Sequence, residues 1–168
     1  MMKSILVIVV FVAGTAAFGQ SVEELDKKGG FKEFRVGDSL SLHQDKIKFM
    51  KTLDNADTKL YLVKDLVSVK SYTGEVELEF YKGKVQEIIV SFKNSSKAGF
   101  EDILNSLETL YGKYEKSKEK SPATDRFEKL FVWTGRKIVL RLGYDENYKL
   151  TEMVYHEVNS LAKLKEEF

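Results

Sequence analysis

The stretch EVELEFYKGKVQEIIVSF, residues 75–92, decides the fold. Ahead of Lys82-Gly83, Glu75, Glu77 and Glu79 alternate with Val76, Leu78 and Phe80, and behind it come Val85, Ile88, Ile89 and Val90. A period of two sends one set of side chains to a core and the other to the opposite face of a strand. The glycine between the two runs makes them a hairpin. Lys-Gly suits a type I turn with a left-handed glycine bulge better than the type I′ turn typical of Asn-Gly. That register pairs Phe80 with Lys84, Leu78 with Gln86 and Val76 with Ile88. Val85 and Ile88 then fall on opposite faces, so either a second bulge lies near Gln86 or the strand is covered on both sides.

Downstream, Asn94 to Ser96 offers cap oxygens for a helix whose Phe100, Ile103, Leu104, Leu107, Leu110 and Tyr111 keep an i, i+3, i+4 rhythm, with Gly112 as its stop. Residues 113–126 are rich in lysine, glutamate and serine and hold Pro122, which predicts a long solvated loop. A second hairpin follows, Phe127 to Trp133 and Arg136 to Tyr144 around Thr134-Gly135. Then come a turn at Asp145 to Asn147, a strand from Leu150 to Val158, and a short helix capped by Ser160. Upstream, Leu60 to Val63 and Leu66 to Val69 are apolar-rich stretches, Leu40 to Leu53 reads as a helix, and Phe31 to Val36 as a strand. Ser21 and Glu24 form a capping-box pattern, but Gly29-Gly30 ends any helix there within two turns, so residues 20–30 read as an arm.

Hairpin-linked strands interrupted by only two amphipathic helices exclude a regular βαβ series. The expected fold is α+β and two-layered, with both helices on one face of a mostly antiparallel sheet, in a single domain over residues 31–168. Phe80-Tyr81-Lys82-Gly83-Lys84 also stands against Val132-Trp133-Thr134-Gly135-Arg136, as a duplicated helix-plus-hairpin unit or convergent turn chemistry would produce.

The chain of 168 residues starts with Lys3, an apolar run from Ile5 to Ala13, and small residues leading to Ala17-Phe18-Gly19. This pattern predicts an export signal over residues 1–19, cleaved after Gly19, with a periplasmic or secreted product. An uncleaved anchor is the alternative, although the run falls short of the roughly 20 residues a span needs. Removing Lys3 from 27 Lys plus Arg leaves 26, balanced by 26 Asp plus Glu. A chain without net charge is a poor nucleic-acid binder. There is no cysteine, which excludes disulfides, thiolate chemistry and a lipoprotein's acylated residue.

Catalytic patterns are sparse. The histidines are His43, on the expected first-helix stripe, and His156, late in the last strand; no G-x-S-x-G elbow accompanies either one. Glu75, Glu77 and Glu79 project from one strand face at intervals of about 6.8 Å, too far apart to converge on a cation unaided. Their plain reading is a solvated face paired to lysines, and the sharper one is an acidic docking surface. Tyr81 and Trp133 each precede a hairpin turn and can act as interface anchors, although a single tryptophan also makes a good core plug. No cofactor cradle or metal spacing is present.

An early Phe31, Phe34, Gly37 entry, the Phe80 to Lys84 hairpin, the Leu110-Tyr111-Gly112-Lys113 helix end and the Trp133, Gly135 turn together resemble small exported bacterial proteins of uncharacterised function. Their helix-plus-sheet layout is similar to that of the β-lactamase-inhibitor-like periplasmic binding proteins and the small outer-membrane assembly lipoproteins. The resemblance spans most of residues 31–158. It implies partner binding by a sheet face or loop edge, brings no catalytic residue, and does not extend to membrane tethering.

The expected function is an exported, non-enzymatic binding module for another protein or an envelope component. Its contacts are expected at Tyr81, Trp133, Glu75, Glu77 and Glu79. A periplasmic hydrolase or lyase would instead need Glu77 or Glu79 to meet His156 or a tyrosine in a pocket. A structural envelope protein is the third reading.

Overall fold

In the computed structural model, residues 21–53, 56–116, 127 and 129–159 are described. The expected signal and the helix after Ser160 lie outside them. Helix α1 spans Val22–Lys28, with the Ser21 hydroxyl accepting from the Glu23 amide and Gly29 closing it in the left-handed region at φ 65°. A small ribbon follows, β1 (Gly30–Phe31) against β2 (Phe34–Arg35). Then come β3 (Ile47–Thr52), β4 (Thr58–Val63), β5 (Val67–Val69), β6 (Tyr72–Tyr81) and β7 (Lys84–Phe92). Helix α2 (Lys97–Tyr111) leads to β8 (Glu115–Lys116), β9 (Lys129–Thr134), β10 (Ile138–Asp145) and β11 (Leu150–Glu157).

The main sheet runs β3-β4-β6-β7-β11-β10-β9-β8, with β5 beside the start of β6, and every pairing is antiparallel. The order mirrors itself about the β7–β11 seam, so that β4-β6-β7 on one side answers β9-β10-β11 on the other. In each half the three strands nearest the seam follow chain order toward the centre, where the last strand of one half meets the last strand of the other. The α+β class with a mostly antiparallel sheet is as the sequence implies. The halves correspond differently from the sequence expectation: the Lys82-Gly83 hairpin answers the β10–β11 turn rather than the one at Gly135.

Residues 40–53 do not form the expected helix. Leu40–Leu42 make one tight helical turn, and Ile47–Thr52 pair with β4 as an edge strand. Leu40, His43 and Ile47 fit a helical stripe, but Ile47, Phe49 and the hydrogen bonds offered by β4 win over that weak periodicity. The first-half helix is the segment expected as an arm. Leu25 is fully buried, so residues 21–30 belong to the folded body.

Val76, Leu78 and Phe80 of β6 join Ile88, Val90, Phe92, Leu140, Leu142, Met153 and Tyr155 on the inner face, where α1 and α2 cover them. Helix α2 contributes Phe100, Ile103, Leu104, Leu107 and Tyr111, the stripe read from the sequence. Each such side chain contributes about 1.5–3 kcal/mol when fully buried. At the hairpin, Lys82 and Gly83 both have positive φ, 49° and 78°, as a type I′ turn requires. Tyr81 therefore faces Lys84, and Phe80, Leu78 and Val76 pair with Val85, Ile88 and Val90 rather than with the expected Lys84, Gln86 and Ile88; the turn carries no glycine bulge, and the register shift falls at Gln86, where the sequence allowed a bulge. Of the loop expected over residues 113–126, residues 117–126 lie outside the described ones; before them Tyr114 packs edge-on to Phe131 at 4.5 Å and to Trp133 at 5.6 Å, and Glu115–Lys116 pair with β9. Among the described residues, no helix is long and apolar enough to cross a membrane.

Candidate ligand cavity and sheet face

The five expected contact residues divide. Glu75, Glu77, Glu79 and Tyr81 share the outer face of β6, each half-buried. Trp133 does not join them. It is 1% exposed, and its indole N–H donates to the Gly112 carbonyl at 2.8 Å, which makes it a core plug on β9, with three strands between it and β6. Its place one residue before a turn suggested an exposed hairpin end, but strand parity turns it inward.

The outer face is not a row of carboxylates met by lysines throughout. Glu75 has that partner, with Lys93 Nζ at 2.6 Å. Glu79 instead lies directly across from Glu87 of β7, which in turn faces His156 of β11. Burial raises the Glu79 carboxyl. Burial and the charges of Glu79 and Glu152, opposed by Arg141, push Glu87 up to about 7. His156 is buried and held low by that burial and by Arg141, while its Nδ1 approaches the Glu157 carbonyl oxygen at 3.0 Å.

His43 is also buried. Its Nε2 lies 2.9 Å from Asp38 Oδ2, an oxygen that also accepts the Arg35 amide, and its ring packs on Phe34 at 5.0 Å. Ser39 and Ser41 bond one another at 3.0 Å. This arrangement fastens the residue 38–43 turn to β2 and presents no nucleophile to the imidazole.

Asp26, unremarked in the sequence, clamps the molecule shut. Its carboxylate accepts the backbone N–H groups of Arg136, Lys137 and Ile138 at 2.7, 2.9 and 3.0 Å. Burial acts to raise this carboxyl, but the three amides and the Lys137 charge outweigh it and hold it low. A Cβ at Gly135 would collide with the same carboxylate, so the turn needs glycine there.

Beneath α2 a cavity of about 410 Å³ opens between the helix, the β1–β2 ribbon and β11. Phe31, Val69, Ile103, Leu107, Leu110 and Met153 give it apolar walls. Tyr111 and Tyr155 stand in it with their hydroxyls hydrogen-bonded to each other, and burial raises both phenols. Three cations complete the lining. Lys28 Nζ lies 5.7 Å from the Tyr111 ring centre and Lys32 Nζ 5.8 Å from that of Phe31. The Arg35 guanidinium is held by the carbonyls of Lys32 and Phe34. No carboxylate among the described residues forms an ion pair with any of the three. The sequence signal was available: Lys27, Lys28, Lys32 and Arg35 crowd the flanks of Gly29-Gly30. A smaller hollow of about 240 Å³ borders the Lys82-Gly83 turn. Neither histidine lines either cavity.

No family model matches the chain, and no curated protein does. A solved structure of a cysteine-rich secretory protein from Staphylococcus aureus subsp. aureus Mu50 is similar over 77% of this chain and 47% of its own, with 13% identity and a TM-score of 0.43. This chain thus spans about half the length of that protein. A likeness that distant says nothing of what this chain does.

Proposed function

We propose that the chain is an exported, non-enzymatic binding module whose ligand occupies the cavity beneath α2. The observation that carries this reading is the hollow itself. It falls within the roughly 300–1,000 Å³ typical of small-molecule sites, and it combines apolar walls with a few convergent polar groups. Support for binding over catalysis comes from His43, whose Nε2 is spent on Asp38, and from both histidines lying outside the cavity lining. The outer β6 face with Tyr81, Glu75, Glu77 and Glu79 is a second surface for a macromolecular partner, because those four side chains do share one face.

Amide NMR spectra titrated with 1-decanol test the cavity reading. Shifts are expected at Gly30, Ile103, Leu107 and Met153, and they should disappear in Leu107→Trp and Ser106→Trp, which fill the space. Ser106 is only half-buried, so its variant keeps the test valid if the Leu107 variant misfolds. Shifts confined to other surfaces, or unchanged by filling, sink the proposal. Intact mass after expression in an exporting host tests export, with a chain beginning at Gln20 expected and retained Met1 refuting it.

A further inference from the structure

Taking the cavity reading as its basis, we infer that the ligand is a single-chain amphiphile with an anionic head, its apolar body under α2 and its head among Lys28, Lys32 and Arg35. Three features of the site fix that class. The walls are aliphatic and aromatic, so the bulk of the ligand is apolar. The charges along the lining are all of one sign. Lys28 comes from the last turn of α1, Lys32 from the β1–β2 turn and Arg35 from β2, so three separate positions in the chain converge on one cavity. Each cation lacks an ion pair among the described residues, so its charge is available to an anion that enters the cavity. The guanidinium is also pre-aimed by its two carbonyl contacts, so little side-chain freedom is lost when an anion arrives.

Size narrows the class further. A hollow of about 410 Å³ lies near the lower end of the roughly 300–1,000 Å³ usual for small-molecule sites, which suits one medium-length chain better than the two chains of a membrane lipid. In the Tyr111–Tyr155 pair one hydroxyl donates to the other, so the otherwise apolar wall carries a polar patch with one O–H still free to donate.

The test is calorimetric titration of the chain purified from an exporting host, at pH 7, with decanoate, 1-decanol and decylamine compared. Decanoate should bind about tenfold more tightly than decanol, and decylamine more weakly than either. Lys28→Gln and Lys32→Gln should each weaken decanoate about two- to fivefold and leave decanol unchanged, as expected for partly exposed ion pairs. Raising the salt from about 20 to about 500 mM should narrow the gap between decanoate and decanol. If decanol binds as tightly as decanoate, or the lysine variants change nothing, the anionic head is refuted while the cavity reading stands. If no probe binds, both fall together.

Discussion

Replacing Glu87 with glutamine should make the protein more stable at pH 8 and leave its stability nearly unchanged at pH 4.5. Glu87 of β7 is flanked by Glu79 across the hairpin, by His156 and Glu152 of β11, and by Arg141 of β10. Burial and like charge move its carboxyl from 4.5 to about 7 in the folded chain. At about 1.4 kcal/mol per decade of proton affinity, ionising it in place destabilises the fold by at most about 3.5 kcal/mol. Glu79 and Arg141 readjust as it titrates, so about 1–2 kcal/mol is the expected gain for Glu87→Gln at pH 8. The sign follows from the raised folded value. The folded chain holds this proton more tightly than the unfolded one, so no penalty exists below about pH 4.5 and it grows as the pH rises toward 7. Urea unfolding followed by the fluorescence of buried Trp133 at pH 4.5, 6 and 8 measures the difference directly. A variant less stable than wild type at pH 8, or one whose advantage does not depend on pH, would refute the reasoning.

Asp26→Ala should lower stability by about 2 kcal/mol in the same assay, because three amides lose a charged acceptor. Since its carboxyl is held below 3.8, that contribution is complete above about pH 4 and disappears only as the pH falls through the lower folded value, so wild type and variant should converge in strong acid. Trp133→Ala should cost about 3–5 kcal/mol by thermal unfolding, with a void left where Tyr114 packs, whereas Tyr81→Ala on the half-exposed face should cost under about 1 kcal/mol. Equal losses at the two aromatics would contradict their assigned places.

Legibility followed the strength of local periodicity. The β6–β7 hairpin and α2 were readable because their alternation and their i, i+3, i+4 stripe run for several repeats. Residues 40–53 were not, since Leu40, His43 and Ile47 satisfy a helix while Ile47 and Phe49 satisfy a strand, and only the presence of β4 decides. Helix α1 was visible in the Ser21 and Glu24 cap and in Gly29, but seven residues carry too little pattern to announce that Leu25 is core. The face of Glu75, Glu77 and Glu79 was legible, but its facing residue Glu87 was not, because the bulge at Gln86 sets which residue sits opposite. The cavity depends on contacts between Lys28, Arg35, Leu107 and Tyr155, whose meeting no local pattern encodes.

The Asp26 clamp also dictates an order of events. A helix of seven residues has no independent existence in water, where roughly 12–15 are needed for even marginal persistence. Its anchoring amides lie 110 to 112 positions further along the chain. Helix α1 is therefore among the last elements to settle, waiting with Leu25 uncovered until β10 and its preceding turn are in place. Lys28, Gly30 and Phe31 wait with it, and they line the cavity. A chain truncated before β10 should thus lack the formed cavity, and a ligand of the kind proposed would in turn hold residues 28–35 against α2 and β11.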